Sequence, residues 1–283
     1  MGLPTKTREV LHVVDAAPTI EGAGVKVRRA LGGRALTNLD PFLLLDAFRS
    51  DDPADYLPGF PEHPHRGFET VTYLIDGAVE HRDSLGNHGR LAPGSVQWMT
   101  AGHGIVHAEM PKQAGAQLLG FQLWVNLPAT QKLMRPRYQD IAPARIVDTT
   151  IGDASVRLIA GQVRDAFGPV DGIVTAPTFL DAKLPANGRF SHALSSGHTA
   201  FVYVFDGAIE LGGARTKISR DQLAVLGPGD EVTAGSERGG RMVLVAARPI
   251  GEPIARRGPF VMNTEAELDR AFDDYRSGHL TDL

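Results

Sequence analysis

One ten-residue segment occurs twice in this chain, and that repetition limits the fold more than any other feature. The segment VTYLIDGAVE (71–80) aligns without gaps on FVYVFDGAIE (201–210), an offset of 130 residues. A following turn, Pro93-Gly94, matches Pro228-Gly229 at an offset of 135, so the second copy carries five extra residues. Each copy reads as strand, turn, strand, Pro-Gly turn, strand. Such an order occurring twice predicts two copies of one β-barrel domain.

The rest of the chain agrees with that reading. Short apolar or alternating segments such as 68–75, 118–125 and 201–205 are rich in valine, isoleucine and aromatic residues. They are punctuated by Asp76-Gly77, Pro93-Gly94, Asp206-Gly207 and Pro228-Gly229. Helical signals gather only near the end. Thr264-Glu265-Ala266-Glu267 is a capping box; Ala266, Leu268, Ala271, Phe272 and Tyr275 follow, and Gly278 can terminate the helix. The chain of 283 residues exceeds one typical domain. The proline-bearing stretch 128–143 is its natural seam. The expectation is an all-β protein with domains over 1–138 and 139–283 and a short helix at about 264–277.

Two short runs carry the chemistry. In His63-Pro64-His65 and His107-Ala108-Glu109 the first and third residues leave the same face of an extended segment. Three imidazoles and one carboxylate suit a borderline divalent metal, and a set with open positions is closer to non-haem iron oxygenases than to a closed zinc site. With no cysteine in the chain, disulfides, zinc-thiolate sites and thiol nucleophiles are excluded. A net charge of −4 argues against direct nucleic-acid binding. The N-terminal stretch has charges where a secretory signal needs a continuous apolar region, and Lys6 stands where myristoylation wants Ser or Thr. No apolar run is long enough to cross a bilayer, so a cytoplasmic protein is expected.

The run GFPEHPHRGFETVTYLIDG (59–77), the run PGSVQWMTAGHGIVHAEMP (93–111) and the ending GPFVMNT (258–264) together resemble the pirin family of bicupins. The resemblance covers nearly the whole chain and is densest between Pro58 and Pro111. It implies two cupin barrels of the jelly-roll type, with one divalent metal in the first, held by His63, His65, His107 and Glu109. Iron(II) is the first choice; nickel, manganese, cobalt, copper and zinc suit the same donors. The family resemblance also implies a quercetin 2,3-dioxygenase activity, which opens a flavonol ring with dioxygen and releases carbon monoxide. Glu109 is the first candidate to accept the flavonol proton and Glu69 the second. The alternative is a metal-dependent regulatory or redox-sensing pirin that binds a protein partner, a transcription factor or a metabolic enzyme. Another enolic or catecholic small molecule is the third reading.

Carrying the offsets to the second copy places Ala193, Ser195, Met242 and Leu244 at the ligand positions, so that barrel is expected to lack the metal; His192 and His198 lie near those positions but not on them. Glu69 stands where many cupins carry a carboxylate ligand, whereas the pirin pattern places it behind the ligands, orienting an imidazole. His103 reads as a pocket-rim residue. Gln97, Trp98 and Met99 either line a pocket for a flat ligand or, for Trp98, fill the barrel. Arg66 either attracts an anionic substrate or pairs with a carboxylate.

Overall fold

The computed structural model describes residues 5–282. Residues 1–4 and 283, the outermost ends of the two expected domains, lie outside the described residues, as does the start of the N-terminal stretch read for targeting signals. The chain is mostly β, with one α-helix, Glu265–Arg276, among the described residues. No helix of the structure is long and apolar enough to cross a membrane.

Two compact units form, and they do not follow the linear division at 138/139. Residues 17–143 and 250–282 make one unit; residues 5–16 and 144–249 make the other. The physical reason lies in pairing at the chain ends. Val10–Asp15 runs antiparallel to Gln222–Leu226 and extends the sheet of the later unit. The terminal helix buries Leu268 and Ala271 with Phe260, Met262 and Leu280, and Val106 of the earlier barrel packs on the same cluster.

In the unit holding residues 17–143 a seven-stranded sheet has the order Arg137–Ile141, Val96–Thr100, Phe68–Asp76, Leu118–Asn126, Phe42–Ser50, Val25–Leu31, Ala17–Glu21. A four-stranded sheet has the order Phe60–His65, Ile105–Lys112, Ala78–Asp83, His88–Leu91. Val25, Val27, Phe48 and Leu74 of the larger sheet bury against Val79 and Leu91 of the smaller, which closes the sandwich. The Asp76-Gly77 signal is a corner rather than a hairpin. Gly77 takes φ +89°, and the chain passes there from one sheet to the other. Its counterpart Asp206-Gly207 lies inside the continuous strand Thr199–Leu211, which bends at an irregularity between Val204 and Asp206.

The other unit is filled by an apolar cluster that includes Val202, Val204, Met242 and Leu244, with no polar group at the last two positions. Met242 and Leu244 therefore do in the second barrel what the ligand positions do not do in the first: they pack.

The helix follows its sequence signals. Thr264 Oγ1 accepts from the Glu267 amide at 3.3 Å, while Glu267 Oε2 accepts from the Thr264 amide at 2.9 Å. Gly278 takes φ +79° just past the end. Thr264→Ala should remove about 1 kcal/mol and lower the thermal midpoint by roughly 2–4 °C, readable by circular dichroism.

Candidate metal centre

The first two histidines sit on a strand that only an edge position allows. Pro61 and Pro64 lack the N–H a central strand must donate, and Phe60–His65 is the outer strand of the four-stranded sheet. Each proline also restricts the residue before it to extended backbone, which holds His63 in register. His107 is paired directly opposite His63 on the neighbouring strand Ile105–Lys112. The side chains converge as a result. Ring centres lie 4.4 Å apart for His63 and His107, 4.8 Å for His63 and His65, and 5.0 Å for His65 and His107.

Candidate ligand nitrogens of the three residues all lie within 4.8 Å of one another, and no other such group of three occurs among the described residues. These three histidines could hold a metal ion, and their chemistry fits one. His63 Nδ1 is 2.8 Å from the Pro61 carbonyl and His65 Nδ1 is 3.3 Å from the Pro259 carbonyl. A carbonyl only accepts, so each Nδ1 carries a proton and each Nε2 keeps a lone pair for a ligand. Both ring nitrogens of buried His107 lack a hydrogen-bond partner. Burial is the main reason that His65 and His107 are held well below the usual imidazole pKa, with the neighbouring imidazoles adding to it. Neutral imidazole is the metal-binding form.

Glu109 is two residues beyond His107 and is buried, but its carboxylate is not in the group within 4.8 Å. The Thr72 hydroxyl stands 3.0 Å from Glu109 Oε1 and 2.6 Å from Gln122 Oε1, and the Gln122 amide nitrogen is 3.4 Å from Glu109 Oε2. Burial raises the carboxyl above its usual range, against the pull of His63 and Thr72.

A cavity of about 570 Å³ opens beside these groups, lined by His63, His65, Glu109, Gln122 and Trp124 among others. That volume lies in the range of small-molecule sites. Thr72 and Gln122 face each other across paired strands, as do Leu44 and Trp124, so one face of the seven-stranded sheet supplies a wall.

Glu69 is on the opposite face. It is paired with Thr100, whose hydroxyl donates to it at 2.7 Å, and burial raises its pKa. It lines no part of the cavity, so the structure does not bring it to the candidate site as a base or a ligand. Trp98, paired with Val71, shares that far face and is buried there, so it neither lines the pocket nor fills the barrel between the two sheets; Gln97 and Met99 lie outside the cavity walls. Trp124 lines the cavity beside the histidines, its ring centre 5.2 Å from that of His65. A polar Gln122 two residues before a tryptophan in an otherwise apolar strand was its one sequence signal.

Arg66 pairs with a carboxylate rather than facing substrate. Its Nη1 is 2.6 Å from Asp274 Oδ2, Nη2 donates to the Leu280 carbonyl at 3.3 Å, and Nε donates to the His103 carbonyl. His103 is likewise away from the cavity. Among the described residues, His192 and His198 belong to no group of three candidate ligands.

Two barrels of this topology, one with a histidine cluster at its mouth and one packed with apolar residues, define a two-cupin protein. Residues 24–125 match the family model described as Pirin, and residues 179–281 the one described as Pirin C-terminal cupin domain. A Pseudomonas aeruginosa protein provisionally named a quercetin 2,3-dioxygenase is 45% identical over 282 residues, covering 98% of this chain and 99% of that one. Human pirin is 42% identical over 265 residues, covering 91% of this chain and 88% of that one. A solved structure of a quercetin 2,3-dioxygenase from Acinetobacter baumannii superposes with a TM-score of 0.90 at 33% identity, covering 97% of this chain and 99% of that one. A bacterial pirin from Escherichia coli in complex with nickel(II) shares the fold at a TM-score of 0.65 and 19% identity, covering 84% of this chain and 98% of that one. The chain belongs to the pirin family.

Proposed function

We propose that the chain is a metal-dependent dioxygenase of the quercetin 2,3-dioxygenase type, acting on a flavonol or a related enolic or catecholic arene. The observation that carries this reading is the convergence of three imidazoles, two of which, His63 and His65, line a cavity that also holds a buried carboxylate. The names of the Pseudomonas relative and the Acinetobacter structure support it.

His63, His65 and His107 hold the metal in this reading, with Glu109 the candidate fourth ligand; iron(II) is the first choice and the nickel(II) of the Escherichia coli pirin the second. A divalent ion there supplies Lewis acidity, which lowers the pKa of a hydroxyl chelated beside a carbonyl. Glu109 takes the released proton at Oε2. Thr72 and Gln122 hold the carboxylate for that task, and its raised pKa brings its basicity closer to neutral pH.

The test separates ligand from base. Glu109→Gln in metal-loaded protein should lower quercetin turnover by about 100-fold or more, the range for loss of a positioned base, with close to one metal per chain retained. Loss of the metal together with turnover would make Glu109 a ligand. Absence of quercetin turnover in metal-loaded wild type would rule out the flavonol and leave another enolic or catecholic substrate or the regulatory reading, in which a protein partner is bound whether or not quercetin is a substrate.

A further inference from the structure

We infer that Arg256 is a specificity-determining residue that receives a carboxylate on the substrate, so that the cavity selects enolic or catecholic acids over neutral arenes. This rests on reading the three histidines as a metal centre. Arg256 lies on the short strand Ala255–Arg257 and lines the same cavity as His63 and His65. Its guanidinium carbon is 4.7 Å from the centre of the Trp124 ring, which is itself 5.2 Å from the His65 ring. The guanidinium carbon is therefore within about 10 Å of the His65 ring centre, a span that a small substrate held at the histidines can cross.

Two arginines line the cavity, and their situations differ. Arg29 is charge-paired: Nε and Nη2 donate to the two oxygens of Asp46 at 2.8 and 2.6 Å, and Nη2 is 2.7 Å from Glu21. Its charge is used within the wall. Arg256 is half-buried, donates Nη1 to the Leu43 carbonyl at 2.9 Å, and has no carboxylate within ion-pair distance among the described residues. The remaining N–H groups of its fork are unengaged. Burial and the neighbouring Arg29 charge disfavour its cation, the more distant Asp46 and Glu21 carboxylates offset part of that penalty, and an anion brought into contact with the fork relieves the rest. A planar fork steadied on an aromatic face, with donors to spare, matches a carboxylate in geometry and charge.

The test compares two probes on metal-loaded protein: catechol, and 3-(3,4-dihydroxyphenyl)propanoate, which adds a carboxylate on a short arm. Dissociation constants by calorimetry should favour the acid by about tenfold or more in wild type, as expected for a charge-assisted hydrogen bond. The ratio should fall close to one in Arg256→Gln and recover in part in Arg256→Lys, with thermal midpoints confirming that both variants fold. Equal affinities in wild type, or an undiminished ratio in Arg256→Gln, overturn the assignment while leaving the metal reading standing. Failure of both probes to bind the loaded protein overturns the assignment together with the reading of the cavity as a site for catecholic substrates.

Discussion

His63→Ala should lose metal and turnover together while keeping its fold. His63 is the right ligand to remove because it is the half-exposed one, on an edge strand; truncating buried His107 or His65 would leave a cavity in addition. Disturbing a residue that only orients a metal ligand lowers affinity by roughly 10–100-fold, and deleting one of three imidazoles should exceed that. Dialysis against a mild chelator followed by metal analysis should find about one ion per chain in wild type and almost none in the variant.

Thermal unfolding supplies a second readout. Metal that binds only the folded state raises stability by about 2.7 kcal/mol when present at 100 times its dissociation constant. Wild type should show that gain and His63→Ala should not, with the metal-free midpoints of the two close together. A variant that keeps a full complement of metal and its turnover would rule out the three-histidine centre.

How much of this was readable from residues alone depended on whether the signal was local. The capping box at Thr264 and Glu267 acts over three residues, so spacing sufficed; His63 and His65 were legible as a pair in the same way, whereas their meeting with His107 rests on the pairing of two distant strands. The chain ends were not readable that way: Val10–Asp15 finds its partner at Gln222–Leu226, a pairing that leaves no mark in either segment. Glu69 shows a subtler failure. Counting by twos from His65 puts Glu69 on the ligand face, but Gly67 intervenes at φ +88°, where the chain leaves the four-stranded sheet for the seven-stranded one. Alternation restarts at that corner, so parity cannot be carried across it. Trp98 and Trp124 were indistinguishable for another reason. Both stand in strands covered on both faces, where an apolar run has no inside and outside to read. Asp46, by contrast, is a legible signal, a lone carboxylate in the apolar run FLLLDAF that needs a partner and has one in Arg29.

The largest stability loss should come from a residue outside the site, Lys132. Its side chain is 1% exposed, and Nζ donates to three oxygens: the Gly67 carbonyl at 2.8 Å, Asn126 Oδ1 at 2.6 Å and the Val261 carbonyl at 3.0 Å. Gly67 follows His65 by two residues, and Val261 belongs to the C-terminal strand Phe260–Met262 that lies against it. The Val261 amide donates to the Arg66 carbonyl at 3.1 Å, and any Cβ on Gly67 would overlap the Val261 carbonyl. Lys132 thus staples the ligand-bearing segment to the returning end of the chain. Lys132→Met keeps the apolar stem and leaves three buried acceptors without a donor; release of the buried charge offsets part of that loss. The net should be about 3 kcal/mol, a fall in thermal midpoint of roughly 10 °C. Metal affinity should weaken about tenfold as the His65 segment loosens. A pH series isolates the amine. Burial lowers its pKa to about 7, and the attraction of Glu252 and Glu267 opposes the fall. Above that value the folded chain has released a proton that the unfolded chain keeps until about pH 10. The unfolded state therefore binds more protons across this window, and stability must rise with pH through it. The difference in unfolding free energy between wild type and Lys132→Met should grow from pH 7 to pH 10. A flat difference with equal midpoints would mean that the lysine holds nothing together.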